Sequence, residues 1–111
     1  MEQVDFPDWQ KIDLRVGKIL NVAEVDGADK LLKLEVDIGE ENTKTILAGI
    51  KKYYSKDELM GKNIVVFCNL EPRKMKGIES QGMLLAATSE DKSKVILLQP
   101  ESDIKPGAKI S

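Results

Sequence analysis

The amino-acid sequence predicts an all-β domain, on three observations. Apolar and polar residues alternate with the two-residue period of a half-buried strand, most cleanly in LLKLEVDI, where Leu32, Leu34, Val36 and Ile38 fall on one side and Lys33, Glu35 and Asp37 on the other. Comparable segments follow one another at short intervals, separated by turn-forming residues. Helix-start signals occur twice only, and each opens a short stretch.

Taken in order, Asp5 is an N-cap and Pro7 suits a first helical turn, so Phe6, Trp9 and Ile12 are expected on the apolar face of a short opening helix lying against the core. From Asp13, DLRVGKILNVAEV reads as a long strand, with Gly17 where a bulge would bend it. LLKLEVDI is the second strand, Gly39 to Asn42 a hairpin loop, and KTILAGI the third strand. Ser55 followed by Glu58 is a capping-box signature and Gly61 a stop, which together predict a second short helix. NIVVFCNL is a fourth strand whose unbroken apolar run predicts burial on both faces. After a basic loop, GMLLAAT is a fifth strand, SEDKS a turn, KVILLQP a further strand and PGAKIS a terminal extension.

Three strands, a short helix and two more strands is the order of the OB-fold, a five-stranded Greek-key barrel, here with short helices and a C-terminal strand extension. SH3-like barrels and split sandwiches give similar strings; the cations sharpen the assignment. In an OB-fold the loops between strands 1 and 2 and between strands 4 and 5 flank the oligonucleotide-binding face. Those loops are VDGADK, ending in Lys30, and EPRKMKGIES, containing Arg73, Lys74 and Lys76.

The chain of 111 residues fits one domain with one core, expected to span residues 1–111, and its initial Met and tail lead to the expectation of a complete chain. An apolar fraction of 41% and a charged fraction of 32% are those of a folded globular protein. No apolar run approaches the roughly 18 residues of a membrane span, and the acidic MEQVDFPDWQ is unlike a signal peptide, so a cytoplasmic location without membrane association is expected. Cys68 is the single cysteine and histidine is absent, which excludes an intrachain disulfide, a Cys/His zinc site and His-based triads or dyads. No glycine-rich phosphate loop occurs, so binding is favoured over catalysis and no cofactor or metal is implied. A net charge of −2 argues against a surface coated in positive charge, and any nucleic-acid contact must come from a local patch.

Five collinear strings then resemble one family: DLRVGKI at Asp13–Ile19, ADKLLKLEVDIGEE at Ala28–Glu41, LAGI and a tyrosine within Leu47–Tyr53, ELMGK at Glu58–Lys62, and NLEPRKMKGIESQGMLLAA from Asn69. The family is the tRNA-binding domain of the methionyl-tRNA synthetase C-terminal and beta-subunit type, also found as free-standing structure-specific tRNA-binding proteins. The last string is the most specific. The resemblance implies an OB-fold that grips tRNA by shape, usually as a homodimer, beside a catalytic methionyl-tRNA synthetase subunit in aminoacylation. By position, the family's tRNA contacts fall on Asn69, Arg73, Lys74, Ser80 and Met83, with Lys30 and Lys33 as weaker candidates; Lys76 joins them by charge. Two departures stand out. Val25-Asp26-Gly27 replaces a His-Pro-Asn of many relatives, and Glu71 and Glu79 dilute the basic loop, which implies modest affinity.

Arg73, Lys74 and Lys76 suit phosphate neutralisation with counterion release, against the alternative of a solvated loop protecting a barrel edge. Asn69 can hydrogen-bond a base edge or sugar hydroxyl, or tie down its own loop. Ser80 offers a hydroxyl to phosphate or belongs to a turn, and Met83 covers a base or fills the barrel end. With five aromatic residues, counting one Trp, two Tyr and two Phe, the chain lacks a multi-ring stacking platform, and recognition by shape fits better. KVILLQP and PGAKIS are the candidate dimer contact, since their apolar face needs cover. The alternative function is a CsaA-like peptide-binding chaperone of the same fold, and a third is a scaffold domain in a multi-synthetase assembly.

Overall fold

The computed structural model describes residues 1–111. Its centre is an antiparallel sheet built on β1 (Leu14–Val25), which pairs along one edge with β2 (Ala28–Asp37) and along the other with β4 (Asn63–Phe67). β3 (Lys44–Ala48) adds outside β2 and β7 (Met83–Leu84) outside β4, giving the order β3-β2-β1-β4-β7, with β10 (Lys109–Ile110) on the start of β1. No ladder joins the outer strands β3 and β7. Instead the segment entering β7 is fastened to the free edge of β3: Gln81 donates its backbone N–H to Thr45 O at 2.7 Å, and its side-chain oxygen accepts from Thr45 N at 2.9 Å.

The alternation of β2 is realised as expected, with Leu32, Leu34, Val36 and Ile38 all at most 1% exposed. Together with Ile19, Ile46, Ile64, Val66 and Leu59 of α2 (Lys56–Leu59) they make one core cluster, each such side chain contributing about 1.5–3 kcal/mol by leaving water. The predicted capping box is present: Ser55 Oγ accepts from Glu58 N, and the Glu58 carboxylate accepts from Ser55 N and is held below the usual carboxylate range by that bond. Tyr54 completes this side, its hydroxyl accepting from Leu97 N at 3.1 Å.

Four local expectations are corrected. β4 is not buried on both faces; Ile64 and Val66 are fully buried while Val65 and Phe67 are half-buried, because an antiparallel sheet presents one face to this core. The bulge in β1 is not at Gly17 but at Leu20, skipped between the pairs Ile19↔Val36 and Asn21↔Glu35. Gly17 stays in register opposite Ile64 and is needed for space: a Cβ there would lie 2.6 Å from Val36 Cγ1 and 2.8 Å from Val66 Cγ2. GMLLAAT is two strands, since after Leu85 the chain leaves β4 and pairs as β8 (Ala86–Thr88) with β9 (Val95–Leu97). Finally α1 (Phe6–Gln10) forms with the predicted Asp5 cap but buries none of its residues. The strands and Leu59 already fill the core, so this five-residue helix stands beyond it, and Phe6, Trp9 and Ile12 line an open groove with Lys109 and Ile110.

Candidate nucleic-acid interface

The basic loop is a β-hairpin. β5 (Arg73–Met75) pairs with β6 (Ile78–Ser80) in the register Arg73↔Ser80, Lys74↔Glu79 and Met75↔Ile78. The two turn residues, Lys76 and Gly77, have φ of 51° and 78°, the left-handed pair of a type I′ turn. Asn-Gly or Asp-Gly would announce such a hairpin in a sequence; a lysine at the first position does not, which is why the segment reads as a loop. Directly opposed residues project to the same side of a ladder. Arg73, Met75, Ile78 and Ser80 therefore share one side, on which Ser80 is buried and Met75 and Ile78 half-buried, while Lys74 and Glu79 share the exposed other side.

Ser80 anchors the arm. Its hydroxyl accepts from Leu47 N at 3.0 Å and donates to Gly82 O at 3.2 Å, so both functions are committed within the fold. With Ser80 beside Leu47 and Gln81 beside Thr45, β6 runs antiparallel to β3, and the tip at Lys76–Gly77 extends past the C-terminal end of β3. That end also carries the start of β2, since Ala48 pairs with Leu32 and Lys51 N donates to Lys30 O at 3.2 Å. The hairpin and Lys30 thus occupy one end of the molecule. Lys33 is opposite Leu47, on the face of β2 turned away from the core, and is half-buried.

The ion pairs sort the cations at this end and elsewhere. Lys51 Nζ lies 2.9 Å from Glu24, whose carboxyl is held below its usual range by that hydrogen bond. Arg15 is gripped by Asp13 through two bonds of 3.0 and 2.9 Å and reaches Glu40 at 3.3 Å; Asp13 is pushed down and Arg15 up chiefly by their mutual hydrogen bond. Arg73, Lys74, Lys76, Lys30 and Lys33 have no carboxylate within 4.0 Å.

Two more of the predicted contacts are engaged elsewhere. Asn69 Oδ1 accepts from Asp13 N at 2.9 Å and its Nδ2 donates to Lys11 O at 2.6 Å, stitching the N-terminal segment to the end of β4. Met83 is half-buried in β7, opposite Phe67. Cys68 is half-buried and its thiol pushed up mainly by burial, in keeping with a packing residue. The role of Gln81 in fastening β7 to β3 was not anticipated; the glutamine between Ser80 and Gly82 carries no local signal for a bond made to β3.

A small all-β domain whose unpaired arginine and neighbouring lysines gather on one projecting hairpin has the form of a nucleic-acid-binding module. The chain belongs to the tRNA-binding domain family, whose model, described as a putative tRNA binding domain, matches residues 14–109. It is 51% identical over 110 residues to the methionine–tRNA ligase of Pyrococcus horikoshii and 50% identical over 113 residues to that of Caldanaerobacter subterraneus. Each match covers 99% of this chain but only 15% and 17% of the ligases, so the chain spans about a sixth of the length of these relatives. Among solved structures it resembles a MetRS-related protein from Pyrococcus horikoshii, with a TM-score of 0.92, 36% identity and full coverage of both chains. It also resembles the chaperone CsaA of Bacillus anthracis, with a TM-score of 0.88, 33% identity and coverage of 99% and 100%. No helix is long and apolar enough to cross a membrane.

Proposed function

We propose that this chain is a noncatalytic module that binds folded tRNA through the β5–β6 hairpin and the adjoining cations Lys30 and Lys33, on an OB-type barrel. The observation that carries the reading is the hairpin itself: Arg73, Lys74 and Lys76 stand exposed and without ion-pair partners in a chain of net charge −2. Few aromatics leave shape and phosphate contacts as the means of recognition. Kinship with methionine–tRNA ligases supports a role as beta subunit or trans-acting appendix of such an enzyme in the cytoplasm. A weak tRNA site held beside a catalytic one raises effective concentration without touching the chemistry. Homodimerisation would double the site, and the exposed Ile96, Leu98 and Ile104 in the C-terminal third support a contact there.

Asn69, Ser80 and Met83 enter this reading as residues that hold the interface in place, since their polar groups or side chains are engaged inside the fold. The decisive experiment measures binding to folded tRNA, unfolded tRNA and a short duplex across a salt series, for wild type and Arg73→Ala/Lys76→Ala. Preference for folded tRNA with a log-log salt slope smaller by about two in the variant is expected. Equal binding of all three RNAs, or an unchanged slope, overturns the assignment.

A second reading, a peptide-binding chaperone, is favoured by the whole-chain likeness to CsaA and by the apolar groove among Phe6, Trp9, Ile12 and Ile110. Binding of unfolded polypeptide that is lost in Trp9→Ala and untouched by Arg73→Ala would establish it.

A further inference from the structure

We infer that the hairpin is one-sided: Arg73, Lys33 and the tip Lys76 make its stronger phosphate contacts, while Glu79, opposite Lys74 in the ladder, offsets that lysine's charge without pairing with it and so limits the affinity of the site. The inference rests on the tRNA-binding reading above and names the residue that regulates that site.

Three links put Arg73 and Lys33 together. Arg73 is opposite Ser80, the Ser80 hydroxyl bonds Leu47 N, and Leu47 is opposite Lys33. Each link spans about 5 Å, so the two backbones are within roughly 15 Å, and long side chains reach the same backbone phosphate run. Leu47, between them, is 1% exposed although it is outside the core cluster, so it is covered and presents no surface of its own. The side of the hairpin that bears Arg73 also carries half-buried Met75 and Ile78 and no carboxylate.

The other side differs in one respect that matters. Lys74 is directly opposed by Glu79, both exposed and the two charged residues on that side of the ladder, with their charged groups more than 4.0 Å apart. Opposite charges across an antiparallel pair attract even without direct contact, and a carboxylate directly across the ladder lowers the local positive potential and repels an approaching phosphate. Lys76 escapes this balance because the turn places it beyond the ladder. A lysine with φ of 51° occupies a position where asparagine, aspartate or glycine is easier to accommodate, so the tip carries its charge against local backbone preference.

The test is a double-mutant cycle on tRNA binding over a salt series, with wild type, Glu79→Gln, Lys74→Ala and the two combined, and a thermal melt of each to establish folding. Lys74→Ala alone is expected to weaken binding by less than Arg73→Ala does. Glu79→Gln is expected to tighten binding several-fold at low salt and steepen the log-log salt slope by about one, as Lys74 then meets a phosphate with no carboxylate opposite it. Lys74→Ala added to Glu79→Gln should cancel that gain, a coupling that a general loss of negative charge would not produce. Wild-type binding with Glu79→Gln no tighter, or a gain that survives removal of Lys74, overturns the inference alone. Failure of the wild type to bind tRNA overturns the underlying reading and the inference with it.

Discussion

Arg15 and Arg73 are the chain's two arginines, and they sit in opposite circumstances. Arg15 leaves β1 beside β4 and β10, is held bidentately by Asp13, and reaches Glu40, which also lies 4.0 Å from Lys44. Arg73 projects from a two-stranded arm with no carboxylate in range. The first is spent on stability and the second left for a partner. A basic residue is therefore informative about binding only once its acidic neighbours in space are known, and charge counted along the sequence does not supply them.

The comparison can be broken by substitutions that trade folding against binding. The largest effect is expected in the sheet that carries Arg15: Gly17→Val would drive methyl groups into Val36 and Val66 and cost about 3 kcal/mol, read from denaturant unfolding. A loss under half of that would mean the sheet yields at this crossing. Ser80→Ala comes next. It leaves the buried Leu47 N–H without a partner, for about 2 kcal/mol, and should weaken tRNA binding without changing its salt slope, since no phosphate contact is removed. A reduced slope would instead make Ser80 a direct contact.

Arg15→Met is expected to lower stability by about 1 kcal/mol, the half-exposed setting of its ion pairs having been allowed for, and to leave RNA binding unchanged. Arg73→Ala should do the reverse, with stability altered by no more than about 0.5 kcal/mol and binding clearly weakened. If both variants shifted both properties, the division between the two arginines would fail. The smallest effect is a matter of pH. Asp13 is held below its ordinary value by Arg15, so its contribution to stability is fully present above about pH 4 and is lost as the pH falls through its lowered folded value. The gap in urea midpoint between wild type and Asp13→Asn should be widest near neutrality and close on acidification; a constant gap would remove the Asp13 charge from the account.

Much of the architecture was legible beforehand, and the reasons are local. The period-two pattern of Leu32, Leu34, Val36 and Ile38, the Ser55–Glu58 capping box and the Asp5 cap each specify their element within a few residues. Misreadings arose where a local pattern had two physical outcomes. An apolar run such as IVVF is compatible with one buried face or two, and a glycine in a strand marks either a bulge or a close approach. Phe6 and Trp9 form a good apolar helix face, but whether a core remains open to receive it depends on the other strands.

What the sequence by itself determined is the all-β class, the first four long strands with the two short helices, and the concentration of Arg73, Lys74 and Lys76 in one segment, because periodicity, caps and composition act over a few residues. The tertiary structure alone decided which cations are free and which polar groups are committed. Asn69 meets Asp13 across 56 positions of sequence and Ser80 meets Leu47 across 33, and Lys74 faces Glu79 through a turn whose residues do not advertise it. Hydrogen bonds and ion pairs depend on distances of about 3 Å, and only the register of distant strands brings such groups that close.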